Sequence, residues 1–429
     1  MTQRLLLPQG ASPFALPLLQ GRALRAFADG FVAVLLPAYL LTLGLGTWEV
    51  GLLATTTLLG SALATLAVGA WGHRFHHSSL LSFAAVLMAA TGFAFAASSA
   101  FWPLLIVAFV GTLNPSSGDV SLFLPLEHAR LAEAADGESR TALFARYSLT
   151  GSLFAAFGSL AAALPSYLGL WTSMSPLNAL RAMFVLYGVI GCLVWLLYQG
   201  LPKPHAQEFR EPTPLGPSRA VVIRLAALFS VDSFAGGLLV NALLALWLFQ
   251  RFDMSVSSAG AFFFWSGLCS AASQLVAPWL AKRIGLLNTM VFTHIPASLC
   301  LIAAAFTPSL PAVLALLIIR SLLSQMDVPA RSAFVMSVVT PAERAAAASF
   351  TAVPRSLASA AGPTIGGALF SIGWLAAPLV TCGLLKIAYD LAIWRSFRDA
   401  SRPRPPDAEA SGNLIRKSSH DIRREKTGL

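Results

Sequence analysis

Residues 26–45 read AFADGFVAVLLPAYLLTLGL, an apolar run in which Asp29 is the single charged side chain. A helix needs about 20 apolar residues to cross the hydrocarbon core of a membrane. Further apolar runs follow at roughly 49–70, 79–98, 102–125, 142–164, 180–198, 221–249, 259–281, 287–306, 311–336, 346–371 and 375–395. The sequence therefore predicts an all-α membrane protein with twelve transmembrane helices, which are numbered below as spans 1 to 12.

The composition of the 429 residues agrees with this class of protein. Hydrophobic residues make up 56% of the chain and charged residues only 11%, whereas about 25% of the residues of a soluble domain are charged. The net charge of +10 does not indicate a nucleic-acid partner, because the basic residues lie in the gaps between apolar runs and in the C-terminal tail. Lipid is thus the expected solvent for much of the surface.

The basic residues between the spans predict the orientation in the membrane. An even number of crossings puts both termini on one side, and these basic residues fall on that side: Arg4, Arg22, Arg74, Arg130, Arg140, Lys203, Arg210, Arg219, Lys282, Arg283 and Arg344. The loops on the other side hold essentially Arg181 and Arg251. Because loops rich in Lys and Arg stay in the cytoplasm, we expect both termini there, in a multi-pass protein of the inner (plasma) membrane.

Two long polar connectors divide the chain, at 127–141 and at 201–219, and the second is rich in proline and charge. Such a composition is typical of a linker between domains. We therefore expect an N-terminal cytoplasmic segment, a six-helix bundle, the linker, a second six-helix bundle and a basic cytoplasmic tail, with the bounds 1–21, 22–200, 201–219, 220–396 and 397–429.

The two halves share landmarks at a nearly constant offset. The pairs are Asp29 and Asp232 at 203 residues, Gly51 and Gly260 as well as Arg74 and Arg283 at 209, Asp119 and Asp327 at 208, and Arg140 and Arg344 as well as Gly158 and Gly362 at 204. This common order indicates a parallel internal repeat. One large class of transporters is built from such repeats and binds its substrate between them, near the membrane midplane.

One motif between the spans resembles that of a known family. Between spans 2 and 3 the chain reads Gly69-Ala-Trp-Gly-His73-Arg74, and between spans 8 and 9 the basic pair Lys282-Arg283 occupies the matching place. This stretch resembles the Gly-x-x-x-Asp-Arg motif of the major facilitator superfamily. His73 and Lys282 replace the aspartate, so a cytoplasmic latch of the usual kind would need other carboxylates.

A second motif lies in span 11, where the chain reads Gly362-Pro363-Thr-Ile-Gly366-Gly367. It is similar to the signature that antiporters of the superfamily carry in helix 5, the pseudo-equivalent of span 11. The resemblance makes proton antiport a hypothesis. The residues by themselves indicate close packing of helices, because small side chains let two backbones approach.

The resemblance covers about residues 22–396 and implies two pseudo-symmetric six-helix bundles. It implies a monomeric secondary transporter in the lipid bilayer, which moves a small-molecule substrate by alternating access, coupled to H+ and with efflux favoured, without a cofactor or metal. An uptake permease or uniporter of the same fold and a non-transporting receptor or scaffold are the alternatives. No Walker A loop, His-Glu-x-x-His site or Gly-x-Ser-x-Gly nucleophile occurs in the sequence, so an enzyme is not expected.

Spans 1, 4, 7 and 10 line the central cavity in the superfamily, and the charges inside spans concentrate there. A charge within the hydrocarbon region is a functional candidate by default. The candidates for substrate binding or ion coupling are Asp232, Arg320, Asp29, Asn114 and Ser324, and those for a cytoplasmic gate are Asp119, Asp327, Arg331, Arg74, Arg283, Arg140, Arg344 and Arg355. We expect Asp232 to face Arg320 near the midplane; a fixed ion pair that joins spans 7 and 10 is the alternative.

Three further patterns carry expectations of their own. Asp29 lies nearer the cytoplasmic end of its predicted span, where it is expected to pair with gate arginines or to form an ordinary helix-end salt bridge. Asn114-Pro115 interrupts span 4, either to line a cavity or as a tolerated kink. Lys386 and Asp390, four residues apart, are expected to form an ion pair within span 12.

Overall fold

The structure is a computed structural model that describes residues 7–116, 121–202, 216–340 and 343–398. In these ranges the chain forms helices, a 3-10 turn at Gly72–Arg74 and no strand. The helices of the first half are α1 (Ala15–Thr42), α2 (Thr47–Trp71), α3 (His77–Ala97), α4 (Phe101–Val110), α5 (Phe123–Ala134), α6 (Gly137–Ala161), α7 (Leu164–Thr172) and α8 (Pro176–Gln199). Those of the second half are α9 (Arg219–Gly237), α10 (Asn241–Phe252), α11 (Val256–Ile284), α12 (Leu286–Phe306), α13 (Leu310–Ser324), α14 (Asp327–Val338), α15 (Arg344–Ser371) and α16 (Ala377–Phe397).

These helices build the predicted crossings. Ten segments of the described ranges are long and apolar enough to span a membrane, and three of them join two helices each, namely α6 with α7, α9 with α10 and α13 with α14. The fourth crossing consists of α4 and α5, and it is interrupted at the described residues 111–116, which follow α4 and are not helical. The eleventh is α15, a helix of 28 residues. The predicted all-α fold with twelve crossings is confirmed.

The first helix is longer than the apolar run that predicted it. α1 begins at Ala15 and not at residue 26. Pro17 belongs to a residue type that usually ends a helix, but here it lies in the first turn. The backbone N–H groups of a first turn have no hydrogen-bond partner within the helix, so the N–H that proline lacks is not missed. Asp29 therefore lies near the middle of α1, and the expectation that it lies close to the cytoplasmic end of its span is wrong.

Glycines let the helices within each half approach closely. A Cβ atom added at Gly362 or Gly366 of α15 would collide with the backbone at Leu238, where α9 ends. In the first half, Gly158 of α6 lies against the backbone of Phe27 in α1. These contacts fix the separation of the helix axes, because any larger side chain would push the backbones apart.

Two glycines also bring the halves into contact at one end of the molecule. A Cβ atom added at Gly51 of α2 would collide with the carbonyl oxygen of Pro363 and would lie 2.9 Å from the Cα atom of Gly367 in α15. The amide N–H of Thr364 donates a hydrogen bond to Thr55 Oγ1 at 2.9 Å. We call this end, where α2 begins and α15 ends, the closed end.

Gly51→Leu is expected to separate the halves at the closed end, because a leucine side chain does not fit between the two backbones. Overpacking costs about 1–3 kcal/mol, enough to shift an equilibrium between two conformers. Spin-label distances between the closed-end tips of α2 and α15 should therefore become longer. Gly69→Leu on the same helix is the matched control, since no atom lies within 4 Å of a Cβ there; unchanged distances in Gly51→Leu would contradict the prediction.

The loop that precedes α15 is tied to the beginning of α9 through Glu343. Its carboxylate accepts hydrogen bonds from Ser218 N at 3.3 Å, from Thr340 Oγ1 at 2.6 Å and from Gly216 N. Hydrogen bonds from Ser218, Thr340 and Gly216 favour the ionised form and lower the pKa of the Glu343 carboxyl to about 2.

Glu343→Gln is expected to lower the thermal stability at pH 7 and to have less effect in acid. The pKa is lower in the folded chain than its ordinary value of 4.5, so the carboxylate stabilises fully above pH 4.5 and this contribution is lost as the pH falls toward about 2. Thermal unfolding midpoints of both proteins, followed from pH 7 downward, should converge below pH 4.5. A constant difference would contradict the assignment.

Candidate functional site

A cavity of about 240 Å³ lies between the two halves. Helices α1 and α6 line it from the first half, and α10, α11, α13 and α14 line it from the second. Toward the closed end the halves touch, because the hydroxyls of Ser166 and Ser257 lie 3.3 Å apart. The lining continues to Arg22, near the beginning of α1. The cavity thus extends from the middle of the molecule away from the closed end.

The lining of the cavity is mostly polar. It contains the serines Ser116, Ser148, Ser152, Ser159, Ser266, Ser270, Ser321 and Ser324. Asn241, Gln274 and Gln325 add amides, and Phe263 is the single aromatic residue of the described lining. Such a surface offers many hydrogen-bond donors and acceptors and little apolar area, whereas most small-molecule pockets are predominantly apolar.

Three charged side chains belong to the lining: Arg22 and Asp29 of α1, and Arg320 of α13. Arg22 and Asp29 are seven residues apart and share one face of the helix. The Arg22 guanidinium lies 5.1 Å from the centre of the Tyr147 ring, and it packs against Gly151, where a Cβ atom would collide with it. The sequence candidates Asp29, Arg320 and Ser324 are thus brought together in one cavity.

Arg320 comes from the opposite half of the molecule. None of the ion pairs found among the described residues involves its guanidinium. The expectation that Asp232 faces Arg320 is wrong, because Asp232 does not line the cavity and pairs with other residues. Equal depth in the membrane did not imply contact, since the two side chains leave their helices in different directions.

Asp232 belongs instead to a buried charge network between α9, α12, α14 and α16. Its carboxylate accepts a hydrogen bond from Lys386 Nζ at 2.7 Å and lies 3.2 Å from an Arg331 guanidinium nitrogen. Arg331 pairs at the same time with Asp327, four residues earlier in α14. Only 4% of the Asp232 surface is exposed, and an ion in such a place requires partners of opposite charge.

His294 completes the network. Its Nδ1 lies 3.0 Å from Asp390 Oδ2, a carboxylate oxygen that accepts, so Nδ1 carries the hydrogen. Its Nε2 lies 3.4 Å from Lys386 Nζ, an ammonium that donates, so Nε2 is placed to accept. A second proton on Nε2 would point toward Lys386, with Asp232 Oδ1 at 3.9 Å as the carboxylate within reach.

The ion pair expected between Lys386 and Asp390 is therefore not formed. Lys386 donates to Asp232 of α9, and Asp390 contacts His294 of α12. Both side chains of α16 point toward neighbouring helices, where each contacts a buried partner. The spacing of four residues was sufficient for an intrahelical pair, and only the packing decided between the two arrangements.

A second buried cluster, in the first half, was missed by the sequence interpretation. Glu127 of α5 has no exposed surface. It pairs with Arg25 of α1 and accepts hydrogen bonds from the hydroxyls of Tyr147 and Tyr198. The Arg25 guanidinium also lies 4.0 Å from the centre of the Phe123 ring. In the sequence, Glu127 belongs to the polar connector at 127–141 and Arg25 precedes the apolar run at 26–45, so neither residue is predicted to lie inside a helix bundle.

The other gate candidates lie apart from one another. Arg74 and Arg283 are exposed, and Arg140 pairs with Asp136 at 2.9 Å. Arg344 donates a hydrogen bond to the carbonyl oxygen of Met336 at 3.1 Å. Arg355 donates one to Ser233 Oγ at 3.3 Å. Asp119 lies outside the described residues. Among the described gate candidates, an ion pair joins Asp327 to Arg331 within α14 and none joins the two halves.

Asn114 lies at the interruption of the fourth crossing and not in the lining of the cavity. It is buried, and its Oδ1 accepts hydrogen bonds from Ser116 N at 3.1 Å and from Ser116 Oγ at 2.7 Å. The carbonyl oxygen of Pro115 accepts a hydrogen bond from Ala242 N of α10 at 3.1 Å. The interruption thus provides a backbone contact between the halves next to the cavity.

Sequence comparisons identify one family. The sequence model described as Major Facilitator Superfamily matches residues 18–240 and 225–426. YJR124C, an uncharacterized membrane protein of Saccharomyces cerevisiae, is 22% identical to this chain in an alignment 410 residues long that covers 86% of this chain and 91% of that protein.

Solved structures with the same fold cover nearly the whole chain. One is a bacterial homologue of the human lysosomal transporter Spinster in an inward-facing and unoccupied conformation, with a TM-score of 0.70, 17% identity, and coverage of 92% of this chain and 100% of that one. Another is the inward open xylose transporter XylE of E. coli, with a TM-score of 0.68, 13% identity, and coverage of 89% and 96%. At these identities the similarity concerns the fold.

Proposed function

The chain belongs to the major facilitator superfamily, and from that membership we propose that its halves, residues 22–200 and 220–396, rock about the central cavity to expose it to each side of the membrane in turn. The protein is a multi-pass secondary transporter and not an enzyme. The cavity carries the proposal, since it is polar, lies between the halves and contains charged groups from both.

We propose that the described conformer is open to the cytoplasm and that the protein works in the plasma membrane. Opposite the closed end, the 3-10 turn carries Arg74 and the last turn of α11 carries Lys282 and Arg283, while Arg251 lies in the last turn of α10 on the other side. The rule that basic loops stay in the cytoplasm supports this orientation. In the outward-open conformer, the gate arginines would then approach the opposite half and close the cytoplasmic side.

We propose that the buried network of the second half binds the coupled proton. The proton would add to His294 Nε2, the imidazole nitrogen that faces Lys386 and Asp232. A proton on its Nε2 would repel Lys386, 3.4 Å away, and attract Asp232. The contacts of Asp232 with Lys386 and Arg331, which face it from α16 and α14, would then change. The contacts of Asp327 and Asp390 would change as well, because these residues pair with Arg331 and His294. The proton would thereby weaken the ion pair that holds α16 to α9.

We further propose export as the direction of transport. The support is the antiporter-like run Gly362-Pro363-Thr-Ile-Gly366-Gly367, which occupies α15. Uptake through the same cavity is the competing direction, because alternating access works both ways and the sign of the gradients selects the flux.

The test is transport by the purified protein in liposomes that contain a pH-sensitive dye. Small neutral, cationic and anionic metabolites are added one at a time, with and without an imposed pH gradient. We expect at least one solute to move protons and to accumulate only in vesicles that carry both protein and gradient. Everted membrane vesicles then give the direction. A solute that stabilises the protein but never crosses the membrane would favour a receptor over a transporter.

A further inference from the structure

We infer that the solute is a small organic anion that carries several hydroxyl groups, such as a sugar acid or a sugar phosphate. This inference rests on the proposed transport function and names the class of substrate. It follows from the charge, the hydrogen-bonding groups and the size of the cavity.

The charged side chains of the described lining give the cavity a net positive charge. Arg22 and Arg320 contribute two guanidinium groups, and Asp29 contributes one carboxylate. Arg320 forms no ion pair with any described residue, although a charge at membrane depth is costly and normally has a partner. An anionic solute would provide that partner, since a guanidinium holds a carboxylate or a phosphate through two parallel hydrogen bonds.

The two arginines come from opposite halves. Arg22 lies on α1 and Arg320 on α13, so an anion held by both would bridge the halves when the cavity closes around it. Gly151 of α6 provides the space for the Arg22 guanidinium, because a Cβ atom there would collide with it. Gly151 is thus a positioning residue for Arg22.

The uncharged lining favours a hydroxylated solute. Serine hydroxyls both donate and accept hydrogen bonds, and they line the cavity from α6, α11 and α13, as at Ser152, Ser270 and Ser324. Phe263 is the single aromatic residue of the described lining. A flat apolar compound would leave these hydroxyls desolvated without partners, at a cost in affinity. A solute with hydroxyl groups of its own satisfies them.

The size of the cavity is compatible with such a solute. Its volume of about 240 Å³ accommodates a small hydroxylated metabolite, and the lining continues to Arg22 away from the closed end.

The experiment compares hydroxylated six-carbon solutes that differ in charge. Gluconate and glucose 6-phosphate are the anionic probes, glucose is the neutral one and glucosamine the cationic one, each offered to liposomes that contain the wild-type protein. We expect transport of at least one anion and of neither other solute. The difference between gluconate and glucose 6-phosphate shows whether the acidic group is a carboxylate or a phosphate.

Substitutions then assign the binding groups. Arg320→Gln should lower the anion flux at least tenfold, and Arg320→Lys, which keeps the charge but loses the planar fork, should lower it less. Gly151→Ala should raise the KM for the anion because it displaces Arg22. Arg224→Gln on the exposed surface of α9 is the matched control and should transport as the wild type does.

Three outcomes overturn the inference. Transport of glucose or glucosamine without transport of either anion refutes the substrate class and leaves the transport function intact. Equal anion flux in Arg320→Gln and Arg224→Gln, with both proteins folded, also refutes it. Absence of flux for all four probes, with a folded protein, refutes the inference, and the proposed function is refuted as well if the wider screen of metabolites also gives no flux.

Discussion

Asp232→Asn is expected to lower the rate of transport driven by a pH gradient at least tenfold, while solute exchange at equal pH on both sides continues. Asparagine keeps the size of the side chain but removes the charge that holds Lys386 and Arg331. The variant also lacks the carboxylate oxygen that lies 3.9 Å from His294 Nε2 and would stabilise a proton there. Exchange needs no net proton movement and should therefore survive. Both rates are measured with the same reconstituted protein.

Two variants accompany this measurement. Asp232→Asn leaves Lys386 buried without its carboxylate, and removal of one member of a buried pair destabilises by about 3–5 kcal/mol. The double variant Asp232→Asn with Lys386→Gln removes both charges of that pair and should fold more stably, with the same loss of coupling. Asp253→Asn in the exposed turn after α10 is the matched control. Equal loss of driven transport and exchange in the folded double variant would refute a coupling role.

Glu127→Gln is expected to destabilise the protein by about 3–5 kcal/mol, because it removes one member of a buried ion pair. Glu127 joins α5 to α1, α6 and α8 through Arg25, Tyr147 and Tyr198. The glutamine still accepts hydrogen bonds from tyrosine, but it leaves the guanidinium of Arg25 buried without a counter-charge. The effect is measured as the change in the temperature at which the protein, heated in detergent, loses its monodisperse peak.

Two controls separate burial from charge in this measurement. Asp136→Asn breaks the pair with Arg140, whose two side chains are 99% and 47% exposed, and surface pairs contribute at most about 1 kcal/mol. The double variant Glu127→Leu with Arg25→Met replaces both buried charges by apolar groups and should recover much of the stability. A loss in Glu127→Gln no larger than in Asp136→Asn would show that the cluster does not support the bundle.

The sequence predicted the crossings because lipid imposes a simple requirement on each segment separately. A segment that is apolar over the thickness of the membrane must form a helix, since no water is present to bond its backbone. This requirement gave the twelve spans, including the fourth, which the structure divides into α4 and α5. It did not give the beginning of α1, because Arg22 and Arg25 gave its first turns the composition of a loop.

The candidate site was predicted in part for a related reason. A charge inside an apolar run is rare enough to be noticed, and Asp29, Arg320 and Ser324 do line one cavity. Glu127 and His294 were not among the candidates, since Glu127 belongs to a connector by sequence and His294 has the surroundings of an ordinary core residue. Their partners, Arg25 and Asp390, are 102 and 96 residues away along the chain.

The sequence by itself determined the class of the protein, its repeat and the residues that needed an explanation. The tertiary structure alone decided which of these residues meet. Asp232 and Arg320 lie at a similar depth in the membrane, but their side chains point in different directions. Lys386 pairs with Asp232 of α9 instead of Asp390 on its own helix. The physical reason is that periodicity gives the face of a helix on which a side chain lies, whereas its partner depends on how that helix is rotated against its neighbours, which the packing of the whole bundle sets.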